Sequence, residues 1–167
     1  MRRVLARFRT ASDVWLAVRA TAWACVLPVL KRLLPMPSLA ALMQHPPRRT
    51  YRDVRLEEQV VTFARWGARL VRWRAGGNCL ERGLIAYRYL GVAGASPTLV
   101  VGVGKNETGV IGHAWVLVDG QPVSEPLSTL ALYTPMLAFA PDGSLTNTNP
   151  QATRRDAAGV QLNGSRA

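Results

Sequence analysis

The order of apolar and polar residues predicts helices in the first half of the chain and strands in the second. The first long apolar run, residues 13–34, predicts a helix with Asp13 in its first turn. Arg19 interrupts this run, and Pro28 should kink the helix. Its uncharged part, residues 20–30, is shorter than the roughly 20 apolar residues that cross a bilayer, and no signal-peptide cleavage site follows it. We therefore prefer a helix that packs on the rest of the protein or lies at a surface, with a membrane span or a signal peptide as the alternatives.

Two segments rich in proline or glycine separate the next elements. Residues 35–50 contain four prolines and predict a connector with one short helical piece around residues 39–43. From Leu56 to Trp73, apolar residues again fall at helical spacing. Residues 75–77, with two glycines, should end that helix before another begins.

The second half of the chain carries the pattern of a small antiparallel sheet. Residues 98–103 and 110–118 are β-branched runs that predict two strands. The pair Asp119-Gly120 predicts a hairpin turn, after which residues 121–125 return the chain. Because Pro122 has no N–H to donate to a ladder, the returning strand should lie at an edge or contain a bulge.

The length and composition suit one folded domain with appendages. The chain has 167 residues, of which 49% are hydrophobic and 19% charged, so disorder throughout is excluded. We predict a basic helical arm and connector in residues 1–50, the main folded domain in residues 51–141 and a flexible tail in residues 142–167. Residues 127–141 are expected to add one more strand or loop around residues 130–133. Helices packed on a small antiparallel sheet define an α+β fold.

The formal net charge of +11 is concentrated near the N-terminus. Residues 1–55 hold eleven Lys and Arg against Asp13 and Asp53, whereas the remaining residues hold ten against eight acidic ones. Such an arm suits an acidic peptide, an anionic membrane surface or nucleic acid, or it is simply solvated. No motif that reads nucleic acid accompanies it, so nucleic acid is not an expected partner.

Cys79 and His113 are the residues that point most directly to chemistry. Asn78 is a predicted N-cap and Glu81 lies at capping-box spacing, so Cys79 should be the first residue of a helix. There the unpaired N–H groups and the helix dipole favour a thiolate, and an imidazole can take the proton. For each residue alone, a buried structural role is the alternative. The chain has only two cysteines, far apart, which favours a reducing compartment.

A catalytic histidine usually needs a third residue to orient it. Asp119 is explained by its place in the turn, so Glu125 is the preferred candidate. With a two-residue turn, the side chain of Glu125 would lie on the opposite face of the hairpin from His113. With a three-residue loop over residues 118–120, Glu125 would lie directly opposite His113 on the same face. We therefore predict the three-residue loop. His45 lies in the connector with little to orient it and is discounted as the base.

Three motifs resemble the transglutaminase-like cysteine peptidase superfamily, and most closely the stand-alone leader peptidases of lasso-peptide biosynthesis. They are Cys79-Leu80-Glu81-Arg82, Leu99-Val100-Val101-Gly102-Val103 and His113-Ala114-Trp115-Val116 through Asp119-Gly120. The resemblance implies a papain-like α+β core with Cys79 as nucleophile, His113 as general base and acid, and an acidic residue at Glu125. At three positions this chain differs from the usual residue of the family. The family more often has Asp where this chain has Glu125, Ser where it has Gly83 and an acidic residue where it has Leu117.

The same resemblance implies a function and partners. The substrate would be a ribosomally made precursor peptide whose leader is removed before a separate ATP-dependent macrolactam synthetase closes the ring. The family's small leader-recognition domain has no counterpart in this sequence, which implies a separate leader-recognition protein. No cofactor or metal ion is expected, and the expected location is the cytoplasm, with membrane contact through the basic arm. The alternatives are a transglutaminase-like acyl transferase, a peptidase with another substrate, and a non-catalytic scaffold that binds a peptide or the synthetase.

Overall fold

The computed structural model describes residues 11–45, 51–70, 78–107 and 109–146. The predicted helix break at residues 75–77 and most of the predicted tail lie outside the described residues. The described residues form helices and strands with the following bounds: α1 (Ala11–Leu33), α2 (Met36–Met43), α3 (Val54–Leu70), α4 (Cys79–Val92), β1 (Pro97–Asn106), β2 (Gly109–Val118), β3 (Gln121–Pro122), α5 (Leu127–Leu130), β4 (Tyr133–Phe139) and β5 (Leu145–Thr146).

The strands form one antiparallel sheet in the order β3-β2-β1-β4-β5. The longest pairing joins β1 to β2, from Pro97 opposite Val118 to Asn106 opposite Gly109. A bulge between Val101 and Gly102 shifts the register of β1 against β4. This arrangement of helices on an antiparallel sheet confirms the predicted α+β fold, and Pro122 lies in the edge strand β3, as expected.

The turn between β2 and β3 differs from the prediction. Val118 pairs with Gln121, so the loop has two residues, Asp119 and Gly120, and the predicted three-residue loop is wrong. Both residues have positive φ, 53° and 75°, which is the conformation of a type I′ turn. This turn matches the twist of the strands, and Asp and Gly tolerate its left-handed backbone, which explains why the shorter loop forms.

Helix α4, which begins at Cys79, packs against one face of the sheet. Leu84, Ile85 and Leu90 are fully buried in the main core, which also contains Leu99 of β1. Each such side chain stabilises the fold by roughly 1.5–3 kcal/mol relative to an exposed one. Gly83 faces the sheet, where a Cβ would lie 3.2 Å from Leu99 Cδ1. The missing side chain therefore lets α4 lie close to the sheet.

The N-terminal helix α1 packs on α3 and α4 rather than standing apart. Ala20, Ala24 and Leu27 are buried, and Gly67 of α3 lies directly against Ala20 and Ala24. Small residues at this contact allow the two helices to approach closely. Among the described residues, α1 is the one helix long and apolar enough to cross a membrane, a property shared by core helices and signal sequences. Pro28 lies inside it, as predicted.

The predicted capping box at the start of α4 is wrong. The Asn78 side chain makes no cap hydrogen bond and instead donates through Nδ2 to the carbonyl of Ala68, at 2.6 Å. Glu81 is buried and pairs with Lys31 of α1. Both side chains are therefore used to hold α4 to neighbouring helices, and tertiary contacts take precedence over the local capping pattern.

The connector and the last strands are more regular than expected. The short helix α2 covers the predicted helical piece, and the chain after it passes over α4 at Gly91. A Cβ built at Gly91 would overlap the carbonyl oxygen of His45, so only glycine fits. Residues 127–130, at the start of the segment left open as strand or loop, form helix α5. The extra strand begins at Tyr133, and β5 pairs with it near the end of the described chain.

Candidate active site

Cys79 is the first residue of α4, which confirms its predicted position. Asn78 ties this helix start to the end of α3 through its bond to Ala68, so the thiol is held at a fixed junction of two helices. The side chain of Cys79 is partly exposed. The first amide groups of an α-helix have no acceptor inside the helix and carry the positive end of its dipole. The thiol is therefore placed where an anion is favoured.

The Cys79 sulfur lies beside strand β2, next to the residue that precedes His113. Its Sγ atom is 4.0 Å from the carbonyl oxygen of Gly112. Gly112 is exposed, and a Cβ there would meet no atom within 4 Å. The helix start and the strand that carries His113 thus meet at a place open to a ligand.

The imidazole of His113 is held by aromatic stacking. Its ring centroid lies 4.6 Å from that of Tyr133 with an interplanar angle of 24°, and 6.0 Å from that of Trp115. On β1, Gly102 lies opposite His113, and a Cβ at Gly102 would collide with Trp115 and with the carbonyl of Thr134. Gly102 is therefore required for the rings to pack beside the sheet.

The structure brings His113 and Glu125 together. Nε2 of His113 lies 2.6 Å from Oε2 of Glu125. Because a carboxylate accepts hydrogen bonds, Nε2 carries the proton and Nδ1 is the nitrogen that can accept one. The predicted contact is present although the predicted loop is not.

The bend after β3 explains how the contact forms. Regular pairing continues only to the bond from the Val123 amide to Val116, and residues 123–125 then bend. An extended hairpin of this register would place Glu125 on the face away from His113. Arg65 of α3 donates to the carbonyl of Ser124 and so holds the bent segment in place. The bend returns the carboxylate to the imidazole.

Arg82 completes the cluster. Its Nη2 atom donates to Oε1 of Glu125, so that carboxylate binds a guanidinium with one oxygen and an imidazole with the other. The side chains of Glu125, His113 and Arg82 are 10%, 15% and 25% exposed. Charge-assisted hydrogen bonds in such a partly dry place are stronger than neutral ones.

Arg82 and Tyr133 are the candidate site residues that sequence reasoning did not identify as such. Arg82 lies three positions after Cys79, on the same side of the helix, and this spacing was a usable signal. Tyr133 comes from a different strand, and its stacking on His113 depends on the register of β4, which the sequence pattern did not supply.

Two residues discounted from the site lie elsewhere. His45 lines a cavity between α1 and α4 together with Trp23 and Arg88. Asp119 accepts a hydrogen bond from Arg52. The hydrogen bonds that Arg52 donates to Glu57 and Asp119 raise the pKa of its guanidinium above its ordinary value, and the bond to Glu57 has the larger effect. The turn residue thus ties the hairpin to the first turn of α3.

Comparison with known proteins identifies the family of this chain. No curated protein and no solved structure matches the chain. The profile of the Transglutaminase-like superfamily matches residues 17–138, from within α1 to the end of β4. This span covers Cys79, His113 and Glu125 together with most of α1 and all of α2, α3 and α4. A match over most of the chain assigns the family, and the protein belongs to the Transglutaminase-like superfamily.

Proposed function

We propose that this protein is a cysteine peptidase that removes the leader from a ribosomally made lasso-peptide precursor before macrolactam formation. Members of its superfamily are usually cysteine peptidases or transferases that use Cys, His and Asp. The observation that carries the proposal is the placement of Cys79 at a helix start beside β2, with the His113 imidazole bound to Glu125. In this chain Glu125 takes the place that Asp usually fills.

The proposed reaction has two steps. The Cys79 thiol gives its proton to Nδ1 of His113, and the sulfur attacks the scissile carbonyl carbon to form a C–S bond. The tetrahedral intermediate then expels the amine, which takes the proton from His113 as the C–N bond breaks. Water next attacks the thioester as His113 accepts its proton, and the C–S bond then breaks while His113 returns that proton to the sulfur, which releases the leader acid and restores the thiol.

The surrounding residues support this chemistry by position. The first N–H groups of α4, including that of Cys79, can stabilise the oxyanion that develops on the carbonyl oxygen. Glu125 fixes the tautomer of His113 and stabilises the imidazolium, and Arg82 holds the carboxylate. Tyr133 limits rotation of the imidazole ring.

The proposed partners follow from the same function. A separate recognition protein would deliver the leader, and a macrolactam synthetase would use the core peptide whose N-terminus has been freed. Acyl transfer to an amine begins with the same thioester and differs only in the second nucleophile. The two reactions are therefore separated by their products.

The test uses the full chain, a lasso-precursor peptide and its recognition protein, with products identified by mass spectrometry. We expect two fragments whose masses sum to the precursor plus one water. Cys79→Ala and His113→Ala should each lose cleavage, whereas Cys25→Ala and His45→Ala should keep it. Full cleavage by a folded Cys79→Ala variant would overturn the peptidase proposal. An amide product in the presence of an added amine would identify the acyl transferase instead.

A further inference from the structure

The outward side of α1 is an apolar stripe that no described residue covers. Its large side chains are between 46% and 71% exposed. At 100° per residue they fall within an arc of about 120°, and the stripe runs for most of the helix. We call these residues the α1 stripe: Val14, Trp15, Val18, Val26, Val29 and Leu33. Scattered apolar residues are ordinary on a protein surface, but a continuous stripe marks a contact surface.

Cationic side chains border this stripe. Arg19 lies at one margin, with its guanidinium 4.9 Å from the ring centroid of Trp15, and Arg32 lies at the other. The acidic residue of α1, Asp13, is buried on the inner side. Four further arginines precede the helix in the sequence, within residues 1–10. An apolar helix face with Trp and Arg at its margins has the composition of a helix that lies in the interface of an anionic bilayer.

A cavity of about 400 Å³ opens beside the stripe. Two residues of the cavity wall connect it to the stripe: Val26 belongs to the stripe and Arg19 lies at its margin. Arg88 contributes a second guanidinium, which lies over the Trp23 ring and donates to the carbonyl of Leu42 at 3.2 Å. Guanidinium groups above apolar walls suit a phosphate joined to a hydrocarbon, which is the chemistry of a phospholipid.

We propose that α1 lies flat on an anionic phospholipid membrane through the α1 stripe, with the Arg19 and Arg88 guanidiniums facing lipid phosphate. The helix is parallel to the membrane because its other side is committed to the protein. Ala20, Ala24 and Leu27 are buried in the core, and Lys31 is paired with Glu81 of α4. Crossing a bilayer would break these contacts, whereas lying on it leaves them intact. This inference goes beyond the proposed peptidase and does not depend on it.

Co-sedimentation of the full chain with vesicles tests the docking surface. The probes are vesicles of phosphatidylcholine alone and of phosphatidylcholine mixed with phosphatidylglycerol. We expect binding to the mixed vesicles that weakens as salt rises, and at least tenfold weaker binding by the double variant Val18→Glu/Val29→Glu. Glu favours a helix at least as well as Val, so this variant should fold, which circular dichroism checks. The matched control, Leu132→Glu/Leu145→Glu, changes exposed apolar residues away from α1 and should bind like the wild type.

The charged margin has its own test. Arg19→Gln/Arg32→Gln should weaken binding to the mixed vesicles and reduce its salt dependence, because exposed charges are screened over about 10 Å at 0.1 M salt. Wild-type protein that stays in the supernatant would overturn the proposal, as would equal binding by the stripe variant. Self-association that Val18→Glu/Val29→Glu abolishes, without vesicle binding, would show that the stripe is a protein interface. Cleavage of a soluble precursor should be unchanged in the stripe variant, which separates this result from a failure of the proposed function.

Discussion

Arg82 of α4 and Glu125 of the bent segment after β3 form an ion pair one helical turn away from Cys79. Because the other oxygen of Glu125 binds His113, the pair connects the helix that carries the thiol to the residue that orients the imidazole. The relative position of the two proposed reactive groups is therefore set by side-chain contacts as well as by the packing of α4 on the sheet.

Loss of either partner should slow the reaction without unfolding the protein. We expect Glu125→Gln to lower kcat by about 10²–10⁴-fold, in the range of general acid–base contributions. Arg82→Gln should lower it by at least about tenfold, since a hydrogen bond to a charged group contributes roughly 1.5–3 kcal/mol. Steady-state kinetics over a range of pH measures both effects.

Substitutions that keep the charge at Arg82 and Glu125 distinguish a positioning role from a merely structural one. Arg82→Lys and Glu125→Asp should each restore part of the rate, because charge is kept although length or geometry changes. A merely structural role for Arg82 would reduce thermal stability and leave kcat and its pH profile unchanged. Arg55→Gln, which removes an exposed arginine of α3, serves as the control.

Cys79 should react faster with a thiol reagent in the native protein than in the unfolded chain. Cys25 is exposed on α1, so labelling is best measured in the Cys25→Ala variant. There iodoacetamide should modify Cys79 near neutral pH, because the helix start favours a thiolate. His113→Ala should slow this modification. Peptide mapping by mass spectrometry gives the rate, and equal rates in the native and the urea-unfolded protein would argue against activation by the fold.

Gly91 should tolerate no side chain. Gly91→Ala should destabilise the protein by about 1–3 kcal/mol or more, because the new methyl group would overlap the backbone carbonyl of His45. The matched control is Gly67→Ala in α3, where a Cβ would make only ordinary contacts at 3.4 Å or more. That change should be neutral or stabilising, since alanine favours a helix over glycine. Urea unfolding measures both.

The stability of the protein should fall in alkaline solution through Tyr87. Its hydroxyl donates to the carbonyl of Ala140, and burial raises its pKa from 10.0 to about 12. The folded state therefore favours the neutral phenol. Its contribution is complete below pH 10 and is lost as the pH rises through 12.

The free energy of unfolding measured between neutral and alkaline pH tests this expectation. Tyr87→Phe should reduce the loss of stability at alkaline pH. Part of that loss should remain, because burial also raises the pKa of Tyr89. Tyr51→Phe changes an exposed tyrosine and should leave the pH profile as it is. A wild-type profile that stays flat above pH 10 would contradict the assignment.

The sequence predicted those features that depend on local pattern. Cys79 was predicted to start a helix because two glycines precede it in the sequence and apolar residues follow at helical spacing, and both are visible along the chain. The predicted partners of Asn78 and Glu81 were wrong because their real partners, Ala68 and Lys31, lie on other helices. Capping rules weigh neighbours in sequence and do not include such competition.

The hairpin shows how a correct contact can follow from a wrong geometry. The requirement that Glu125 reach His113 was used to predict a longer loop, on the premise that the strand stays extended. The type I′ turn keeps its two residues, and the chain bends after Pro122 instead. The bend is held by Arg65 and Arg82, which come from two helices, so no reading of the hairpin alone could supply it.

The ion pair between Lys31 and Glu81 gives α1 a role in supporting the candidate site that its sequence does not suggest. Glu81 is buried two residues after the proposed nucleophile, and its second oxygen, Oε2, has no partner among the described residues. A buried carboxylate without its cation is strongly destabilising. Any shortened form of the protein that starts after Lys31 would leave that charge uncompensated inside α4. The smallest part of the chain that folds on its own therefore begins upstream of Lys31, well before the first of the proposed reactive residues.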